Sequence, residues 1–576
     1  MQSISVQRWR WFALLIVSGL LLTLAPPGRT AAQDTQYRRL PLETYRQKMR
    51  AGWIGQMVGV SFGAPTEFRY QSRIVPAADV PGLSPGLINQ AFGQDDLYVE
   101  MTFLKTLETY GLEVSSAQAG IDFANSEYQL WHANKAGREN LRQGIAPPDS
   151  GHPRFNAYTD DIDYQIEADF AGLIAPGLPN EAIRLGETFG RIMNYGDGLY
   201  GGQFIACLYA EAFFEDDPRR LVEAGLSCIP AQSQYAEAIR DVLRWSQAYP
   251  DDWQQTWAQV QAKYHENPAY RRFASNAAAG TPPDFNIDAK LNGAYVVMGL
   301  LYGGRDPLQT MTIALRSGQD SDCNPASAGG ILFTTLGADQ LPALFSAGLD
   351  ETKRFSYTDY DFPRLIAVSE QLARQSVLRA GGFIETEADG TEVLVIPVQP
   401  PQPGPLAQSW EPGPIAGSTF TDAEMAQIRF PLGGLAADVR RFAPGWTISG
   451  CLDSPHLGLK PQLQGRDGVL FTHPASRNTP CRLETTITLP ASGDSSLRLE
   501  VGHFPDGDWV LIVKANGDEL VNQVIGPQTA DAGWLALDVD LSAYAGQEIH
   551  LEALNQANGR SWEGAYWHVL ALITSE

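Results

Sequence analysis

From about Leu42 to about Arg379, apolar residues recur every three or four positions, the period of a helix with one face turned to a core. The run YRQKMRAGWIGQMVG sets Tyr45, Met49, Trp53 and Met57 four residues apart. LYVEMTFLKTLETYG puts Leu97, Met101 and Leu104 on one stripe, with a stop at Gly111. NEAIRLGETFGRIMNYG, QYAEAIRDVLRWSQAY and AYVVMGLLYGG continue the pattern, and few alternating segments interrupt it. A large all-α domain is expected, with these stripes as its core.

The pattern then changes. PVQPPQPGPLAQSWEPGP, residues 397–414, holds too many prolines for a helix interior or a central strand and reads as a semi-rigid linker. Beyond it come short alternating runs: SLRLEVGHF, WVLIVKANGDELVNQVI with a hairpin turn at Asn516-Gly517, GWLALDVDL, EIHLEAL and YWHVLALI. Runs at that spacing predict a β-sandwich of about 150 residues. No solenoid-type repeat occurs.

Composition refines this picture. A chain of 576 residues exceeds one core, so about two or three domains are expected. With 44% apolar and 19% charged residues the balance is globular rather than disordered. The net charge of -24, from 66 acidic and 42 basic residues, argues against nucleic acid or an anionic membrane as partner and leaves a small molecule or glycan. Arg8 and Arg10, an apolar run from Trp11 to Ala25 and small residues at RTAAQ read as an export signal cleaved after Ala32. The expected layout is a signal peptide over 1–32, a helical domain over 33–396, the linker over 397–414 and a sandwich over 415–576, secreted or periplasmic. Five cysteines leave one thiol unpaired; Cys451 and Cys481 are the expected disulfide, and Cys207, in an apolar helical pattern, reads as a small buried hydrophobe.

The chemistry concentrates in acidic doublets. SGQDSDCNPASAGG holds Asp320 and Asp322 one residue apart, with no lysine or arginine within the stretch. Buried and unpaired they would repel each other, so water or a cation must compensate. FGQDDLYVEMTFL places Asp95 and Asp96 before an apolar helix, where they serve as caps or, with the first pair, as oxygen ligands for a hard divalent ion. The glycines of NYGDGLYGGQF allow a backbone to approach a ligand closely, which makes Gly196, Asp197, Gly198 and Tyr200 candidate substrate-binding residues; a tight helix-to-helix turn is the alternative. No dinucleotide fingerprint, P-loop or zincin motif is present, and the eight histidines lack ligand spacing.

GWIGQMVGVSFGAPTEF, the aspartates after Gln94 and the Asp-x-Asp at Asp320 and Asp322 together resemble the ADP-ribosylglycohydrolase family over roughly residues 42–345. That resemblance implies an α-helical catalytic domain and two Mg²⁺ ions, or Mn²⁺, held by Gln94, Asp95, Asp96, Asp320, Asp322 and Cys323. It also implies hydrolysis of an N- or O-glycosidic bond in an ADP-ribose-like or furanoside substrate, with Glu67 at the cleft in acid-base work. Gln94 and Cys323 depart from the family's threonines, and a thiol suits magnesium poorly. A literal Thr-Asp-Asp at Thr159, Asp160 and Asp161 competes with Asp95 and Asp96 but lacks the preceding Gly-Ala-Pro-x-Glu; its segment, with Asp163, resembles one found near the cleft in exported members. The sandwich resembles galactose-binding-like jelly rolls, with Trp509, Trp534, Trp562 and Trp567 as candidate sugar platforms. The rival readings are a non-catalytic glycan-binding protein with a decayed metal site and a metal phosphoesterase.

Overall fold

The computed structural model describes residues 36–273, 287–429, 434–452, 454, 456–530, 532–559 and 562–574. The expected export signal, residues 1–32, lies outside the described ones. Among the described residues no helix is long and apolar enough to cross a membrane.

The helix Leu42–Gly63 organises the first domain. Tyr45, Met49, Trp53 and Met57 are fully buried as the spacing predicts, and from Ala51 to Gly63 every residue is buried. Such complete burial needs a face without side chains, and Gly52, Gly55, Gly59 and Gly63 supply it. That face lies against the buried helix Cys323–Leu336. A methyl group at Gly55 would sit 2.5 Å from the Gly329 carbonyl oxygen, and one at Gly59 only 2.2 Å from that of Pro325. The two backbones therefore touch, and the end of the first helix is pressed onto the turn that carries Asp320 and Asp322.

Further helices follow the expected stripes: Asp95–Tyr110, Pro179–Phe189, Gln234–Ala248 and Ala289–Tyr302. A small antiparallel sheet flanks them, with β1 (Tyr37–Pro41), β2 (Phe383–Thr386) and β3 (Glu392–Pro397) in the order β1-β3-β2. Cys207 corrects the sequence expectation. It is bonded to Cys228 across 21 residues, which ties the interior of the helix Asp197–Ala212 to the residues just after the helix Pro218–Leu226 packed on it. A buried half-cystine and a buried apolar residue occupy the same helical position, so periodicity alone could not separate them.

Residues 397–414 run along the helical domain and are captured by side chains. Asn180 Nδ2 donates to the Pro400 carbonyl at 3.0 Å, and Gln402 N donates back to Asn180 Oδ1 at 2.8 Å. The Tyr200 hydroxyl donates to Pro405 O at 3.1 Å and accepts from Ala407 N at 2.7 Å. Gly413 N donates to the Tyr195 hydroxyl at 3.1 Å. Prolines exclude a regular ladder, so the remaining backbone groups pair with side chains one at a time.

The C-terminal strands are β4 (Thr447–Ser449), β5 (Gly458–Leu463), β6 (Arg466–Thr472), β7 (Cys481–Thr488), β8 (Ser495–His503), β9 (Trp509–Ala515), β10 (Asp518–Ile525), β11 (Trp534–Asp540), β12 (Glu548–Gln556) and β13 (Ala565–Thr574). They form two antiparallel sheets, β10-β9-β12-β7-β4 and β11-β8-β13-β6-β5, whose inward alternate residues share one core. The hairpin at Asn516 and Gly517 has both φ values positive, 51° and 90°, as an Asn-Gly turn requires. Cys451 and Cys481 form the expected disulfide, and Cys323 is the free, buried thiol. Trp509 and Trp567 are core, Trp534 is buried, and only Trp562 of the four tryptophans is exposed.

Candidate metal centre

Asp95 and Asp96 form the first turn of the helix Asp95–Tyr110, behind Gln94, which is half-buried and makes no side-chain capping bond. Asp320 and Asp322 lie in the turn leading into Cys323–Leu336, and Asp322 does not cap that helix either. The turn is shaped by two consecutive positive φ values, 80° at Gly318 and 59° at Gln319. A side chain at Gly318 would meet the Arg73 and Tyr70 carbonyls at 2.5 Å, so only glycine fits. Asn292 Oδ1 accepts from Asn324 Nδ2 at 2.9 Å and from Asp320 N at 3.4 Å, holding the turn from below.

The two clusters meet in the fold. Ligand atoms of Asp320, Asp322 and Cys323 lie within 4.8 Å of one another. The Cys323 thiol donates to Asp96 Oδ2 at 3.4 Å, which joins the second cluster to the first. Burial, with the charges of Asp320, Asp322, Asp96 and Asp95, pushes that thiol well up, so it stays protonated and serves as a donor. Glu67 stands at the rim, on the turn after Thr66, whose hydroxyl is 2.8 Å from that of Ser321. Phe68 N donates to Gln319 O at 3.3 Å and Gln319 N to Tyr70 O at 3.2 Å, so the Glu67 turn is tied to the Asp320 turn by backbone bonds.

The electrostatics are one-sided. Among the described residues, none of Asp95, Asp96, Asp320 and Asp322 forms an ion pair with lysine or arginine. Burial pushes Asp95 up to about 6, with the charge of Asp322 adding to it. Asp96 and Asp320 are pushed well above the carboxylate range by burial and then by neighbouring aspartates, and burial raises Asp322. Glu67 reaches solvent, yet the protein around it and then the charges of Asp322 and Asp95 push it up to about 8. Asp96 Oδ1 and Asp320 Oδ1 are buried without any hydrogen-bond partner. Orphaned acceptors of this kind are costly unless something positive faces them. A donor set of carboxylate oxygens fits a hard divalent ion such as Mg²⁺ or Mn²⁺, whereas a protonated thiol does not.

Over residues 41–379 the sequence matches the family described as ADP-ribosylglycohydrolase. The chain belongs to the ADP-ribosylglycohydrolase family. Membership makes it a hydrolase of that superfamily, and the expected helical domain followed by antiparallel sheets is what the fold displays. An ADP-ribosylglycohydrolase-related protein complex is similar in structure, with 16% identity and a TM-score of 0.38 over 58% of this chain and 99% of the other. A cyclase from Fischerella sp. TAU is 15% identical over 22% of this chain and 83% of its own, with a TM-score of 0.18. A family 35 carbohydrate binding module from Clostridium thermocellum is 13% identical over 23% and 92%, with a TM-score of 0.17. No curated protein matches the chain.

In this member of the family a further layer of acids, missed in the sequence, lies behind the first. Glu100, one helical turn beyond Asp96, accepts from Gln56 Nε2 at 2.6 Å and from Phe170 N at 3.0 Å. Asp169 accepts from the Tyr209 hydroxyl at 2.7 Å and is pushed up to about 8 by burial. Glu167 is held by Asn134, and burial raises it well, with Asp95 among the charges that add to this. A glutamate at i+4 from Asp96 within an apolar helix was the available signal in the sequence.

The other expected residues divide. Asp163 accepts from Asn134 N and is raised by burial, then by Asp161, Glu167 and Asp95, so it sits at the edge of the acidic field. Asp197 accepts from Tyr235 N at 3.2 Å. A methyl at Gly198 would lie 2.3 Å from the Thr159 carbonyl, and Gly196 faces the Ala407 carbonyl. With Tyr200 bonded to Pro405 and Ala407, these four residues serve close backbone packing and the docking of residues 397–414. The literal Thr-Asp-Asp is engaged by structural contacts: Thr159 donates to Gly151 O at 2.8 Å, Ser409 donates to Asp160, and Asp161 accepts from Ala133 N at 2.8 Å.

Proposed function

We propose that this protein is an exported, divalent-metal-dependent hydrolase that cleaves the N- or O-glycosidic bond of an ADP-ribose-like or other furanoside substrate. The observation that carries the reading is the pair of orphaned oxygens, Asp96 Oδ1 and Asp320 Oδ1, buried among aspartates that have no cationic partner. Asp95, Asp96, Asp320 and Asp322 would hold two Mg²⁺ ions, or Mn²⁺, with the Gln94 amide oxygen at the edge. When bound, the ions supply positive charge that orients sugar hydroxyls and acidifies a water.

The chain's own groups do the rest. Cys323 keeps a proton on its sulfur and fixes the orientation of the Asp96 carboxylate. Glu67, at the boundary between solvent and the aspartates, exchanges a proton with the leaving atom or the attacking water. Breaking a glycosidic bond makes the sugar cation-like, and the surrounding carboxylates favour that charge. Two disulfides support an exported setting, because such bonds persist in oxidising compartments. Trp562, exposed and stacked on Phe504 at 4.5 Å, adds a sugar platform on the sandwich.

The test is mass-spectrometric product analysis with ADP-ribosylated protein and a panel of furanosides, with and without Mg²⁺ or Mn²⁺. Metal-dependent release of ADP-ribose or of a free sugar is expected. Released phosphate with an intact glycosidic bond would replace this reading by a phosphoesterase. Absence of metal binding and of any product would replace it by a glycan-binding protein.

A further inference from the structure

A cavity of 660 Å³ opens beside the helix Asp95–Tyr110, walled by Thr102 on that helix, Asp122 and Tyr128 beyond it, and Tyr357 and Asp359 on a facing turn. The facing turn is tight. The backbones of Arg354 and Asp361 form an isolated antiparallel bridge, Phe355 N donates to Tyr360 O at 2.9 Å, and Thr358 N donates to Phe355 O at 3.2 Å. It is anchored just upstream of the metal helix, because Ser356 N donates to Phe92 O at 2.8 Å and the Phe92 and Phe355 rings are 4.5 Å apart. Asp95 and Thr102 are seven positions apart on one helix, so the cavity begins about 10 Å from the carboxylates at about 1.5 Å of rise per residue.

Tyr357 is the unusual member. It is 69% exposed and has a φ of 61°, a left-handed conformation that bulky residues avoid. Its ring stands edge-on to Tyr98 at 5.3 Å and to Tyr128 at 5.8 Å, and those two rings are 4.8 Å apart. The fold thus holds an aromatic surface in water at the mouth of the cavity, where packing alone would have buried it. The charge of the walls decides what could lie there. The two wall cations are already met by carboxylates, Lys105 by Glu108 at 3.0 Å and Arg429 by Glu127 at 3.4 Å. Asp122 already accepts from Thr106 at 2.7 Å and Gln118 at 3.0 Å, which leaves the exposed Asp359 as the acceptor on the facing turn. Aromatic faces with carboxylates and hydroxyls suit the C–H faces and hydroxyl donors of an uncharged sugar, and repel phosphates.

We infer that this cavity is a binding groove for a neutral oligosaccharide, whose terminal unit it directs toward the carboxylate cluster. The inference rests on the hydrolase reading for its direction, and names the substrate class as a neutral glycan chain. The experiment has two arms on the full chain. In the Asp320→Asn background, calorimetry reads the affinity for arabinan- and galactan-derived oligosaccharides of increasing length, with ADP-ribose as the anionic comparison. Affinity should rise with length, fall about tenfold in Tyr357→Ala and recover in Tyr357→Phe, which keeps the ring. Asp359→Asn, also exposed, should weaken binding too and carries the test if Tyr357→Ala fails to fold.

The second arm uses the otherwise native chain on an aryl furanoside with one sugar unit and on the longer oligosaccharides. Tyr357→Ala should raise KM about tenfold for the long substrates only. Length-independent binding, no oligosaccharide binding, or Tyr357-dependent binding of ADP-ribose in place of neutral sugar would each overturn the groove assignment. Tyr357-dependent oligosaccharide binding without any turnover would support the groove and sink the hydrolase reading, so the two failures are distinguishable.

Discussion

Gly63→Ala tests whether close packing of two helices sets the geometry of the aspartates. A methyl group there would lie 2.1 Å from the Ser321 carbonyl oxygen and 2.3 Å from the Asp322 Cα, where ordinary contact begins near 3.4 Å. Both neighbours are backbone, so they cannot rotate away, and the two segments must part by about 1 Å, an overpacking worth about 1–3 kcal/mol. The displaced backbone is the one that carries Asp320 and Asp322. A shift of about 1 Å at reacting groups costs about 10² in rate, and a disturbed ligand shell weakens metal about 10- to 100-fold. Gly52→Ala is the control, because its methyl meets the side chains of Thr334 and Leu173 at 2.5 and 2.7 Å. It lies eleven residues back, about 16 Å along the same helix. Thermal melts in EDTA and calorimetric titration with Mg²⁺ should show both variants destabilised but only Gly63→Ala weakened toward metal. Equal metal affinity in the two variants would refute the reasoning.

Asp320→Asn should abolish the melting-temperature rise that Mg²⁺ gives and cut turnover at least about 10²-fold. Its metal-free melting temperature should not fall, since a neutral amide relieves repulsion among like charges; a drop of several degrees would count against the cluster. The metal-free protein should lose stability as pH rises. Asp95 is pushed up to about 6 and Asp169 to about 8, so the folded chain keeps protons that the unfolded chain releases above about pH 4. Melts in EDTA should therefore fall between about pH 4 and pH 8, and Mg²⁺ should reverse the trend at the upper end; a rise with pH in EDTA would contradict the assignment. Glu67→Gln should lower turnover by about 10² to 10⁴ with metal content retained, and unchanged turnover would remove Glu67 from proton transfer.

Much of this architecture was legible in one dimension. The helical stripes, the hairpin at Asn516-Gly517, the Cys451–Cys481 bond and the four aspartates followed from period, turn chemistry and charge, because each depends on residues close in sequence or on composition. The pairing of Cys207 with Cys228 was hidden, since burial looks the same for a free thiol acting as a small hydrophobe and a half-cystine. Gly196, Asp197, Gly198 and Tyr200 had the composition of a ligand loop, but tertiary packing committed them to backbone contacts and to residues 397–414. Glu100, Asp169 and Glu167 became part of the acidic field only when distant segments were brought behind Asp96.

The sequence by itself determined that two acidic doublets exist and that neither contains a cation within its own short stretch. Only the tertiary structure decided that they share one buried place, because the contact depends on a glycine face of Leu42–Gly63 meeting the backbone of Cys323–Leu336. That meeting involves residues more than 250 positions apart. Local patterns state what a segment prefers, while the distance between carboxylates is set by which segments exclude each other's side chains.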